Sequence, residues 1–148
     1  VFDLGQKYTK DFDVTYVDAN GEKHFPIMGC YGWGTTRTMG VIVEKSHDER
    51  GIVWPESIAP FRVALISLRG KEQAGQELYD MLTKAGVEVL WDDRDESPGS
   101  RFAAADLLGI PTRLVISEKT GEQVEWKDRA SEQTELLSID KVLERLTA

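Results

Sequence analysis

The chain has 148 residues, of which 41% are hydrophobic and 30% charged, a composition typical of a soluble folded protein of one domain or slightly more. Its formal net charge of −8 excludes a nonspecific polyanion binder, because lysines and arginines supply the affinity for phosphates. No apolar run approaches the roughly 20 residues of a membrane span, so we expect no membrane association. The single cysteine, Cys30, excludes an internal disulfide and is typical of a cytoplasmic protein, and with only two histidines we expect no metal site.

The first third of the chain reads as antiparallel sheet followed by a helix. Residues 14–17 and 24–27 are short strand-like runs on either side of Asn20-Gly21, which is a strong hairpin signal. Residues 35–45 predict a helix whose apolar content is too continuous for a surface position, so we expect it to be buried. The polar residues 46–51 predict a solvated linker, and His47 beside Asp48 is assigned to it. Two prolines in residues 54–60 place a domain boundary at about residue 57.

Strands and helices alternate after that boundary. Residues 61–68, 87–91 and 111–117 predict strands. Residues 72–85 form an amphipathic pattern that ends at Gly86, and a second helix begins at Ser97 and ends at Gly109. A further strand at 124–127 and a last helix over 138–146 complete the pattern. The sequence therefore predicts an α/β fold with a mixed, mostly parallel sheet and helices on its faces.

The segment GCYGWGTTR, residues 29–37, is a candidate nucleotide site. It is not a P-loop, because Thr35 stands where the phosphate-binding lysine is needed, and Arg37 stands where a dinucleotide fingerprint needs its third glycine. The antiparallel hairpin before it and the helix after it resemble motif 3 of the class II aminoacyl-tRNA synthetases. That resemblance implies that Gly32 and Gly34 let ATP lie flat on a strand and that Arg37, the candidate catalytic residue, stacks on adenine and reaches the γ-phosphate. A glycine-rich turn with an ion-paired arginine is the alternative.

An ordered series of segments over essentially the whole chain resembles bacterial-type prolyl-tRNA synthetases: VFDLGQKY, MGCYG, SHDERGIVWP, SIAP, WDDRDESPG and DLLGIP. Trp33 and Ser97 depart from that family's usual residues. The resemblance implies that residues 1–56 are the end of a class II catalytic domain, without its motifs 1 and 2 and without an editing insertion, and that residues 57–148 are a three-layer anticodon-binding domain. The parent enzyme would be a cytoplasmic homodimer that joins proline to its tRNA through a prolyl-adenylate, using ATP and Mg²⁺. This chain alone is expected to be inactive.

The resemblance also places Cys30 and Tyr31 at the floor of the proline pocket, although a small hydrophobic cysteine is equally typical of a core. The acidic run of residues 92–96 follows a parallel strand, where α/β sheets usually bind ligands. Carboxylates there can accept hydrogen bonds from guanine N1–H and N2–H, and proline anticodons contain two adjacent guanines. We expect six residues to surround one crevice and bind the anticodon: Asp93, Arg94, Arg101, Phe102, Asp106 and Arg113.

Each of these assignments has a simpler alternative. The acidic run reads equally well as a charged loop, and Phe102 can belong to the core as readily as it can stack on an unpaired base. A different class of function also stays open, in which the protein is a stand-alone RNA- or protein-binding module without synthetase activity. The retention of Arg37 and its glycines argues against that alternative, because a pure binding module needs no ATP site.

Overall fold

The computed structural model describes residues 1–147, and the chain forms two compact units, Val1–Met39 and Gly40–Ala148. The first unit contains four short strands and a short helix: β1 (Phe2–Asp3), α1 (Lys7–Asp11), β2 (Tyr16–Val17), β3 (Lys23–His24) and β4 (Gly29–Cys30). Strands β1 and β4 pair antiparallel, as do β2 and β3. Helix α2 (Thr35–Lys45) runs across the division between the units.

The second unit begins with a small hairpin and continues into a five-stranded domain. The hairpin is β5 (His47–Asp48) and β6 (Gly51–Ile52), paired antiparallel, and it is followed by a 3-10 turn, Glu56–Ile58. The remaining elements, in chain order, are β7 (Val63–Ser67), α3 (Glu72–Lys84), β8 (Val89–Asp92), α4 (Pro98–Leu108), β9 (Thr112–Ile116), β10 (Val124–Asp128), β11 (Thr134–Leu137) and α5 (Ile139–Thr147).

The large sheet has the strand order β11-β10-β9-β7-β8. Strand β7 pairs parallel with both β8 and β9, whereas β10 pairs antiparallel with β9 and β11. Strand β7 is buried at every residue, because helices cover both faces of the sheet at its centre. The sheet is thus mixed, with its parallel pairings confined to one side.

Two apolar cores give the second unit three layers. One core joins α3 and α5 to the sheet through side chains that include Leu78, Leu82, Val142 and Leu146. The other joins α4 to the opposite face, where Ala105 packs near Ile66 and Val115. Alternating side chains of β7 enter opposite cores, as the two-residue period of a strand requires.

The predicted α/β, three-layer architecture is confirmed, and so are the hairpin around Asn20-Gly21 and the further strand at 124–127, which is β10. Helix α4 has its predicted signals: the Ser97 hydroxyl accepts a hydrogen bond from the Ser100 N–H at 3.2 Å, and Gly109 ends the helix in the left-handed conformation. Among residues 1–147, no helix is long and apolar enough to cross a membrane.

Three structural predictions need correction. Helix α2 forms as predicted, but none of its residues is buried in the described chain, and its apolar Met39 and Val41 are more than half exposed. The expected linker at 46–51 is the β5–β6 hairpin, and β11 was missed because its strand is short and mostly exposed. The domain boundary at about residue 57 stays a prediction, and the compact unit that contains the hairpin begins at Gly40.

Candidate functional site

The carboxyl ends of β7 and β8 are joined by the buried guanidinium of Arg101. Its Nη1 donates to the Ser67 carbonyl oxygen at 2.7 Å and its Nη2 to the carbonyl oxygen of Asp92. The side chain is 8% exposed and lies 3.6 Å from the Asp92 carboxylate. Because both terminal nitrogens donate to carbonyl oxygens of the sheet, this geometry favours a structural role for Arg101, and its contact with RNA stays a prediction.

A cleft of about 750 Å³ opens at the same edge of the sheet, and its lining includes Asp93, Arg94 and Arg101. Arg94 forms a bidentate pair with Asp92, with Nε to Oδ1 at 2.9 Å and Nη2 to Oδ2 at 2.7 Å. That pairing holds the pKa of Asp92 below its ordinary value and raises the pKa of Arg94. Asp93, the next residue, is exposed.

A second group of candidates forms the α4–β9 surface, which we define as Phe102, Asp106 and Arg113. The Arg113 guanidinium lies over the Phe102 ring, 4.8 Å from its centroid, and its Nη1 lies 3.3 Å from the Asp106 Oδ1. The Asp106 and Arg113 side chains are 20% and 13% exposed, and Phe102 also packs on the apolar core beneath α4. An aromatic ring, a guanidinium and a carboxylate therefore share one partly exposed surface.

The expectation of a single crevice around all six residues is wrong. Arg113 is the second residue of β9 and pairs with Ala64, near the start of β7, whereas Asp93 and Arg94 follow the end of β8. Asp106 lies in the last turn of α4, more than one turn beyond Arg101. The candidates therefore form two groups, although the individual role of each residue stays a prediction.

Sequence reasoning missed three charged residues beside the α4–β9 surface. The buried Arg129 forms a bidentate pair with Asp48, with Nη1 to Oδ2 at 2.7 Å and Nη2 to Oδ1 at 2.6 Å, and its Nε donates to the Asp106 carbonyl oxygen at 2.9 Å. Arg50 lies 3.7 Å from the Asp106 carboxylate and 2.9 Å from Glu132. The signal in the sequence was the charged run Asp48-Glu49-Arg50, which reads equally well as a solvated loop.

The nucleotide and proline candidates lie in the first unit and at the start of α2. Cys30 is an exposed free thiol, Tyr31 is 81% exposed, and Arg37 is also exposed. A Cβ added to Gly32, which lies in the loop between β4 and α2, would meet no heavy atom within 4 Å, so the space beside this loop position is open. The described residues of this unit offer Arg37 no carboxylate within ion-pair distance, which does not support the alternative of a structural ion pair.

One group of possible metal ligands occurs in the β2–β3 hairpin. Donor atoms of Asp18, Glu22 and His24 lie within 4.8 Å of one another. The His24 ring is 3.0 Å from the Asp18 carboxylate, whose other oxygen accepts the backbone N–H groups of Asn20 and Glu22. These contacts lower the pKa of Asp18 and stabilise the turn of the β2–β3 hairpin. The proximity of the three side chains is therefore explained without a metal ion. The expectation of no metal site stays a prediction.

Comparison with known proteins shows which family the five-stranded domain resembles. Residues 62–148 match the family model "Anticodon binding domain". The chain is 46% identical to a proline–tRNA ligase of Legionella pneumophila over 97% of its length, and 46% identical to that of Geotalea daltonii over 100%. It covers 26% and 27% of these relatives, so the chain spans about a quarter of their length.

A solved structure has the same fold. It is titled the prolyl-tRNA synthetase from Cryptosporidium parvum complexed with L-proline and AMP, and it matches with a TM-score of 0.72 at 24% identity over 98% of this chain and 34% of that one. The family model covers the five-stranded domain that carries the α4–β9 surface and more than half of the chain. This chain therefore belongs to the anticodon-binding domain family, and its matched relatives are proline–tRNA ligases.

Proposed function

We propose that this chain is part of a proline–tRNA ligase and that its α4–β9 surface binds the anticodon of proline tRNA. The observation that carries the proposal is the contact between Phe102, Asp106 and Arg113 within the segment matched by the family model. An anticodon presents unstacked bases, and aromatic rings and guanidinium planes are the groups on which such bases stack. The stacked Phe102 and Arg113 side chains supply both.

Asp106 provides the group that selects guanine. A carboxylate accepts hydrogen bonds at two oxygens with about four lone-pair sites, and its contacts to Arg113 and Arg50, at 3.3 and 3.7 Å, leave lone pairs available. Guanine offers N1–H and N2–H side by side, whereas adenine lacks that donor pair. The acidic net charge of the chain is compatible with this mode, because base edges rather than phosphates supply the specificity.

The test is binding of the purified chain to a proline anticodon stem-loop and to variants with each guanine changed to adenine. We expect Asp106→Asn, which replaces one acceptor with a donor, to remove the preference for guanine at one position. The loss should be about 1–3 kcal/mol, the scale of a good base-specific contact. The matched control is Asp80→Asn on α3, which packs on the opposite face of the sheet. Equal affinity of the unmodified chain for all these RNAs would rule out guanine reading and favour the stand-alone binding module.

We further propose that Gly32, Gly34 and Arg37 contribute to the ATP site of the complete ligase, with Cys30 and Tyr31 at its proline pocket. The open space beside Gly32 and the exposed Arg37 guanidinium support this proposal, because a flat base and a phosphate need those two features. Residues 29–37 carry no carboxylate, so Mg²⁺ would be held by ATP and by other parts of the enzyme. The complete enzyme would work in the cytoplasm as a homodimer.

The measurement for this second site is ATP–pyrophosphate exchange in a complete ligase that contains this chain. Arg37→Ala should slow prolyl-adenylate formation about 10- to 100-fold, because one charge-assisted contact contributes about 1.5–3 kcal/mol. Binding of the anticodon stem-loop should not change. Lys45→Ala, which removes a cation from the other end of the same helix, is the control. Exchange at the unmodified rate in the Arg37 variant would refute the assignment.

A further inference from the structure

Asp106 is held by arginines from three different elements. Arg113 of β9 lies 3.3 Å from its Oδ1, and Arg50 of the β5–β6 hairpin lies 3.7 Å from its Oδ2. Arg129, which follows β10, donates from Nε to the Asp106 backbone carbonyl at 2.9 Å. Both oxygens of the carboxylate and the backbone beneath it are therefore positioned by cations. Arg50 is the one of the three that lies outside the segment matched by the family model, residues 62–148.

The position of Arg50 is fixed because its hairpin is attached firmly to the end of α4. Asp48, two residues before it, forms the bidentate pair with Arg129. A Cβ on the next residue, Gly51, would lie 2.5 Å from the Leu107 Cα, so the hairpin backbone lies directly against the helix. The Trp54 indole N–H adds a hydrogen bond to the Leu108 carbonyl oxygen at 3.0 Å. The β5–β6 hairpin is thus held in place beside the α4–β9 surface, and Arg50 projects from a backbone of constrained position.

We propose that Arg50 is a positioning residue for guanine recognition, which makes the anticodon-binding surface a composite of the β5–β6 hairpin and the five-stranded domain. The inference rests on the proposed function of Asp106. Guanidiniums beside both carboxylate oxygens limit the rotation of the group, so that its acceptor positions are oriented before the base arrives. A preorganised group loses less conformational freedom on binding and discriminates more strongly.

The experiment compares Arg50→Gln with the unmodified chain, using the stem-loop with its native guanines and the guanine-to-adenine variants. We expect the affinity ratio between guanine and adenine RNA to fall about 5-fold or more, the lower part of the range for a base-specific contact. The matched control is Arg145→Gln, because Arg145 is also a partly exposed arginine that is ion-paired to a glutamate, Glu135, at 2.7 Å. It removes the same charge and should weaken both RNAs equally, leaving the ratio unchanged.

The outcomes separate this inference from the proposal beneath it. If Asp106→Asn leaves the ratio unchanged, the proposed function itself fails. If Asp106→Asn abolishes the preference while Arg50→Gln keeps the ratio of the unmodified chain, the positioning role of Arg50 is overturned. The double variant should have the ratio of Asp106→Asn alone, since Arg50 acts through that carboxylate. Should Arg50→Gln fail to fold by circular dichroism, Arg50→Lys, which keeps the charge but lacks the planar fork, must lower the ratio, and an unchanged ratio in that variant refutes the inference.

Discussion

At the scale of single residues, the Arg129–Asp48 pair is the best-defined electrostatic contact of the second unit. The Arg129 side chain is 3% exposed, so its charge depends on Asp48 and on the Asp106 carbonyl oxygen for compensation. Removing one partner of a buried ion pair is destabilising mainly because the other charge remains uncompensated. The hydrogen bonds from Arg129 hold the pKa of the Asp48 carboxyl well below its ordinary value, and the pKa of Arg129 is raised in turn.

This pair predicts a defined dependence of stability on pH. A carboxyl group whose pKa is lowered by folding contributes stability above its unfolded pKa, about 3.9 for aspartate, and that contribution is lost as pH falls towards the folded pKa. Asp48→Asn should therefore lower the thermal midpoint at pH 7, and the gap to the unmodified chain should narrow progressively below about pH 4. Thermal unfolding across this pH range measures it, with Glu118→Gln on an exposed loop as control. A gap that stays constant down to about pH 2 would show that the pair does not act through ionised Asp48.

At the level of whole elements, Gly109 is the residue at which the end of α4 packs directly against the β5–β6 hairpin. It ends the helix with a φ of 73°, and a Cβ there would lie 2.1 Å from the Ile52 carbonyl oxygen. Gly86, which follows α3 with a φ of 82°, has the same left-handed conformation but no heavy atom within 4 Å of an added Cβ. The two glycines thus differ in whether the hairpin lies against them.

Alanine substitution at these two glycines should give different losses of stability. Gly86→Ala should cost about 1–2 kcal/mol, the penalty for a left-handed non-glycine residue. Gly109→Ala should cost about 1–3 kcal/mol more, because the methyl group must displace the backbone of β6. Urea unfolding of both variants measures the difference. Equal losses would mean that the hairpin moves away without cost, and its contact with α4 would then contribute no stability.

Local patterns made most of the second unit predictable. Ser97 before Pro98 and the later Gly109 predict both ends of α4 to within one residue, because the residues that cap a helix lie next to its ends in the sequence. The β5–β6 hairpin was not predictable in the same way, since the partner of Asp48 lies 81 residues further along the chain. For the site, the sequence predicted one crevice around six residues, of which the structure brings Phe102, Asp106 and Arg113 together. The contacts of Arg101 with two strand ends depend on tertiary geometry, which no local pattern shows.

At the scale of the whole molecule, the hairpin bears on where the anticodon-binding domain begins. The sequence prediction of a boundary at about residue 57 implies that residues 57–148 contain everything the domain needs. The structure includes the hairpin in the compact unit that begins at Gly40. The hairpin compensates the buried Arg129 and lies against Gly109, and neither contact can form in a shorter fragment.

Two truncated chains distinguish these views. Residues 40–148 should unfold in urea cooperatively and at a higher midpoint than residues 57–148, because the shorter fragment exposes apolar surface on α4 and leaves Arg129 without Asp48. Limited proteolysis of the full chain should correspondingly spare residues 46–55, whereas a solvated linker would be cut there first. The control is residues 40–148 carrying Asp48→Asn, which keeps the hairpin backbone but removes the charge and should unfold between the two. If both truncated chains have the same midpoint and protease cuts within the hairpin, the domain begins near residue 57 and the hairpin only rests on its surface.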